Sequence, residues 1–154
     1  MLMKTTRKYG KATDRALSLW VKLARAHDTM STLADRNIAT FGLTTPQFGA
    51  LECLGHLGQM TIGELGRKML VTGGNMTVVV DNLVKQSLVE RFGISNDRRK
   101  IMVRLTGKGE ELFHEIFIKH AEFITDLVSV LTYREQEELG RLLKKLGTSL
   151  ELRR

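Results

Sequence analysis

Between Thr61 and Gly109 the spacing of apolar residues changes twice, from helical to alternating and back to helical, an order that few folds accommodate in so short a span. Thr61-Ile62-Gly63-Glu64 reads as a capping box opening a short helix over Ile62, Leu65 and Met69. After Leu70-Val71, Thr72 is placed to cap a second helix that opens on Thr72-Gly73-Gly74-Asn75 and turns Met76, Val79, Val80, Leu83 and Val84 inward. The period then becomes two. Ile101, Val103 and Leu105 are expected to face the core, with Lys100, Met102 and Arg104 on the other side. The partner strand is read over Leu88 to Phe92, and Gly93 to Arg99, rich in turn formers, as a long basic hairpin tip. Two short helices followed by such a hairpin describe a winged helix-turn-helix.

The flanks are helical. Ala16, Trp20, Leu23, Met30, Ala34, Ile38 and Phe41 share one stripe with His27, which predicts a long first helix ended by Gly42. Thr44 and Gln47 form a capping box, with Pro46 in the first turn, for a helix over Phe48, Leu51, Leu54 and Leu57 that Gly58 closes. Thr106 opens a helix carrying Leu112, Phe113, Ile116, Phe117, Ala121, Ile124, Leu127, Val128 and Leu131. Thr132 and Glu135 cap a last helix with Leu139, Leu142, Leu143, Leu146 and Leu150. These stripes are wider than a small winged helix can cover. They imply that the two ends of the chain pack together and against a second copy; a monomeric helical bundle is the competing arrangement. The expected fold class is therefore mainly α (α+β), a winged helix-turn-helix with long N- and C-terminal dimerisation helices. We divide it as an arm and helix over 1–42, a DNA-binding lobe over 43–108 and dimerisation helices over 109–154.

Charge sharpens the reading. The net charge is +7, and residues 61–108 hold nine Lys and Arg against four acids, a net of +5. The first fifteen residues, which include Lys4, Arg7, Lys8 and Lys11, add +4; residues 16–60 are neutral and 109–154 carry −2. A polyanion binds such a segment by releasing counterions, although a solvated basic surface has the same composition.

Within the motif, Gly73 and Gly74 let backbone come close to phosphate or a base edge at a helix start. Asn75 and Thr77 project from the first turn with groups that pair with adenine or contact thymine. A tight turn and cap would use the same residues. Arg98, Arg99 and Lys100 cluster at the hairpin tip, where an arginine can enter a narrow minor groove and Asp97 can hold its guanidinium; an exposed charged turn is the plain alternative. Arg67, Lys68 and Lys85 suit phosphate contacts, which position without reading sequence.

The order Leu43-Thr44, Gln47, Leu51, Leu54, Thr61-Ile62-Gly63-Glu64-Leu65, Val71, Met76-Thr77, Val80-Asp81-Asn82-Leu83, Leu88-Val89-Glu90-Arg91, Asp97-Arg98-Arg99 and Val103-Arg104-Leu105-Thr106-Gly107-Lys108-Gly109 resembles the multiple antibiotic resistance regulator (MarR) family. The resemblance spans essentially the whole chain. It implies a homodimeric winged-helix regulator, usually a repressor, on near-palindromic promoter DNA, often released by a small aromatic or phenolic effector. It also implies that Arg99 enters the minor groove with Asp97 as its positioning acid. The effector site of the family commonly lies between the dimerisation helices and the DNA-binding lobe, and no residue pattern in this sequence marks it. Family members that sense peroxide carry a cysteine in the long first helix, and this sequence has none there.

Other chemistries are poorly supported. The lone Cys53 excludes an internal disulfide, fits a reducing compartment and is expected to be a buried, unreactive thiol. His27, His56, His114 and His120 lack metal-site spacing, with His27 expected in a core or interface. Thr106-Gly107-Lys108-Gly109 lacks the upstream Gly and following Ser or Thr of a phosphate loop. No cofactor, membrane span or signal segment is read, and the expectation is a cytoplasmic protein that is not an enzyme. Two other functions fit parts of the sequence: a winged-helix protein-interaction module, and a non-specific architectural DNA binder using the basic amino-terminal arm.

Overall fold

The computed structural model describes residues 9–69, 73–94 and 97–153, with Gly73, Ile94 and 97–100 described in backbone only. In chain order the elements are α1 (Lys11–Ala39), α2 (Thr45–Leu57), β1 (Met60–Thr61), α3 (Ile62–Lys68), α4 (Gly73–Lys85), β2 (Val89–Ile94), β3 (Asp97–Leu105), α5 (Gly107–Val128) and α6 (Tyr133–Glu151). The fold is mostly helical with one small antiparallel sheet of order β1-β3-β2.

Local chemistry sets most boundaries. All three anticipated capping boxes form: Thr44 with Gln47, Thr61 with Glu64 and Thr132 with Glu135, each pair exchanging side-chain and backbone hydrogen bonds. Gly42 and Gly58 end their helices at φ 73° and 79°, a left-handed conformation that glycine adopts at little cost. The first helix begins at Lys11, a turn earlier than its apolar stripe, and ends at Ala39.

The core centres on the lobe and takes in Ile38 of α1 and Ile116 of α5. Leu51, Leu65, Met76, Val80, Leu83 and Val103 are fully buried, drawn from α2, α3, α4 and β3, with Leu88 and Val89 closing one side. The lobe's neighbours lock on through close contacts. Gly55 lies under the Phe113 ring, and a Cβ there would fall 2.4 Å from it.

Three expectations need correction. The two-residue strand β1 was not anticipated; Met60 and Thr61 pair with Val103 and Met102, a partnership between residues far apart in sequence. The hairpin is longer than its apolar alternation, because backbone pairing runs out to Ile94 and begins again at Asp97, with a register shift between Gly93 and Ile94. Asp97, Arg98, Arg99 and Lys100 therefore stand on a strand, not in a loop. Ile101 is half exposed instead of facing the core with Val103. It pairs with Gly93 one position beyond the end of β1, where the sheet narrows to a two-stranded ribbon.

Candidate nucleic-acid interface

Helices α3 and α4 pack through Leu65 and Gly66 on one and Met76, Val80 and Leu83 on the other. Most of their polar residues remain exposed. Arg67 and Lys68 end α3, both exposed, and Lys85 ends α4, also exposed. Gly74, Asn75 and Thr77 lie exposed in the first turns of α4. A Cβ at Gly74 would meet nothing within 4 Å, so the protein's own packing does not require glycine there. Gly73 falls within α4, Thr72 lies outside the described residues, and the wing residues Asp97 to Lys100 are placed by backbone on β3.

Three contacts that brace the interface were missed in the sequence. Arg91 on β2 pairs with Asp81 on α4, tying the base of the wing to that helix. Arg104 on β3 donates Nε–H to Glu90 Oε1 at 2.7 Å and lies 4.6 Å from the Phe92 ring centre. The third is the Leu105-Thr106-Gly107-Lys108-Gly109 run. Thr106 Oγ1 donates to the Ser87 carbonyl at 2.6 Å, Lys108 Nζ donates to the Gln86 carbonyl at 2.9 Å, and Gly109 fits so tightly that a Cβ would come within 1.9 Å of the Leu88 carbonyl oxygen. This run fastens the turn after α4 to the start of α5. Its one charge, Lys108, serves that clasp, and Ser87, at φ 59°, is held by the Thr106 bond. The partners in these contacts lie ten to twenty-two positions apart in sequence, beyond the reach of any local spacing rule.

On the other side of the lobe, Asn37 of α1, Phe48 of α2 and His120 of α5 meet. His120 Nδ1 lies 2.9 Å from Asn37 Oδ1, and its ring sits 4.7 Å from that of Phe48. Burial pushes the imidazole pKa below its ordinary value, with Glu52 opposing weakly. Cys53 is half-buried, not fully enclosed, with Sγ 3.9 Å from Met60 Sδ. Burial raises its thiol pKa, against a smaller lowering by Lys68. Among the described residues no three His, Cys, Asp or Glu side chains gather as a metal site, and no helix is long and apolar enough to cross a membrane.

The helix pair and the β-ribbon behind it have counterparts of known family. Residues 43–101 match the MarR family model. The HTH-type transcriptional regulator MhqR of Bacillus subtilis is 34% identical over 135 residues, 88% of this chain and 93% of that protein. This chain belongs to the MarR family. A mutant MarR from E. coli, solved with operator DNA, superposes with a TM-score of 0.76 at 25% identity, covering 89% of this chain and 99% of that one. NadR, solved in complex with 4-hydroxyphenylacetate, has the same fold, with a TM-score of 0.69 at 24% identity over 94% of this chain and 97% of its own. Like the other MarR-family members, the chain is a DNA-binding transcriptional regulator with a winged helix-turn-helix.

Proposed function

We propose that two copies of this chain join through their terminal helices and bind a near-palindromic promoter site as a ligand-responsive repressor. The observation that carries this is the unfinished state of those helices in one copy. No residue of α6 is buried, and Leu139, Leu142, Leu143, Leu146 and Leu150 are 39–50% exposed along one face. Trp20 on α1 is 66% exposed and Leu17 is 47% exposed. An apolar surface of this extent is what a two-fold interface covers.

In the dimer each α4 enters a major groove, where Asn75 and Thr77 meet base edges and Gly73 and Gly74, with Thr72, bring the helix start close to the backbone. The open space around Gly74 supports this role, since no internal neighbour asks for glycine there. Arg98 and Arg99 reach the flanking minor groove with Asp97 as the positioning acid and Lys100 beside them, while Arg67, Lys68 and Lys85 hold phosphates. A small phenolic acid is the effector class to test first, by analogy with the NadR complex. The meeting point of Asn37, Phe48 and His120 joins the long helix to the lobe and is where an effector would alter their angle.

The deciding experiment selects bound fragments from the source organism's own genome and titrates the best one by fluorescence at several salt concentrations. A steep fall of affinity with salt and a two-to-one protein-to-duplex ratio are expected. Arg99→Ala is expected to weaken binding by about 1 to 3 kcal/mol. A shallow salt slope would turn the reading toward a protein partner, and equal affinity for random DNA would remove the promoter site.

A further inference from the structure

Helix α4 buries Met76, Val80 and Leu83, and half-buries Val79 and Val84, against the lobe. Val78 points the other way. It is 59% exposed, and among the described residues of α3 and α4 it is the exposed large hydrophobic side chain. Its neighbours on that face are Asn75 and Asn82, three residues before and four after, both exposed; these spacings bring the three side chains onto one stripe.

A β-branched residue is a poor choice for an exposed helical position, where Ala, Lys or Glu cost less. The core has no use for Val78, since the stripe it needs is complete without it. Base edges in a major groove present one large apolar group, the C5 methyl of thymine. An aliphatic side chain flanked by amides suits a groove floor where a methyl lies among hydrogen-bonding edges. The exposed Arg67, Lys68 and Lys85 at the ends of α3 and α4 suit phosphate contacts.

We propose that Val78 is a specificity-determining residue that packs on a thymine methyl in each half-site, resting on the reading of α4 as the helix that enters the major groove. Val78 follows Asn75 by about 4.5 Å along the helix axis, and stacked base pairs are about 3.4 Å apart. The thymine is therefore placed within roughly two base pairs of the base that Asn75 contacts.

The test uses the full-length protein and duplexes enriched from a random pool. The tightest duplex is resynthesised with deoxyuridine replacing each thymine in turn, which deletes one methyl and nothing else. The wild type is expected to lose affinity roughly fourfold at one thymine per half-site, the weight of one buried methyl. Val78→Ala, at a position open to solvent and with better helix propensity, is expected to fold normally by circular dichroism. It should bind the parent duplex severalfold more weakly and be indifferent to deoxyuridine at that same thymine. A flat deoxyuridine scan, or a wild-type and Val78→Ala pair equally sensitive at every thymine, overturns the assignment to Val78 while leaving the regulator reading intact. Failure of the pool to yield a preferred duplex overturns the sequence-specific reading, and Val78 with it.

Discussion

The winged lobe and the terminal helices are built on opposite terms. In the lobe, three helices and a strand close around fully buried side chains such as Leu65, Met76 and Val103, and glycines at its borders admit backbone or ring contacts too close for any side chain. In α6 the capping is as good as anywhere in the molecule, yet nothing is buried and the leucine face stays open. Local signals thus specify a helix equally well in both regions, while burial distinguishes the packed lobe from a terminal helix whose apolar face stays open. If a second copy covers the open helices as proposed, recognition in the lobe and the spacing of two lobes are separately adjustable.

The largest effect should come from the open region. Leu142→Lys places a charge twice in the proposed two-fold interface, and at about 2 kcal/mol per lost leucine that dimer should weaken by about 4 kcal/mol. Sedimentation velocity is expected to show monomer at concentrations where the wild type is dimeric, with far-ultraviolet circular dichroism unchanged. A variant that stays dimeric breaks the contrast, because α6 would then not be the covered face.

The lobe should respond in the other currency, stability within one chain. Gly109→Ala drives a Cβ into the Leu88 carbonyl, which cannot rotate away, and is expected to lower the unfolding free energy by about 3 kcal/mol. Urea denaturation measures it, and a loss below about 1 kcal/mol would show that the clasp between α4 and α5 yields easily. By contrast, the Asp81–Arg91 pair is partly exposed on both sides. Arg91→Ala should cost under about 1 kcal/mol in the same experiment. A larger loss would move cohesion of the lobe from packing toward charge.

What could be read in the sequence divides along the range of the interactions. The caps at Thr44, Thr61 and Thr132 lie three residues from their partners, so the helix starts were legible. The apolar periods placed the hairpin behind α4, and the run from Thr61 to Gly109 located the winged helix. The strand Met60–Thr61 was not legible, since its two residues carry no period and its partner lies some forty positions on. Ile101 alternates correctly with Val103, and only the end of β1 beside it explains its exposure. Gly109 looked like part of a phosphate-loop imitation, and its meaning depends on the Leu88 carbonyl above it. The side chains of Arg98 and Arg99 lie outside what is described, and their minor-groove role is a proposal tested by titration.

The smallest expected effect lies at the seam between the two regions. His120, half-buried against Phe48 and bonded to Asn37, has its pKa lowered chiefly by desolvation, with Glu52 opposing. A histidine whose folded pKa lies below its unfolded value of 6.5 binds fewer protons when folded than when unfolded. Its contribution to stability is therefore full above that pH and is lost as pH falls through it toward the folded value. In parallel urea titrations from about pH 7.5 down to about pH 5, the wild type should lose more stability than His120→Gln, which retains an amide donor to Asn37 and does not titrate. If the two proteins lose stability in step, protonation of His120 is no heavier in the fold than in the unfolded chain, and the contact between α1 and α5 cannot relay pH to the reading lobe.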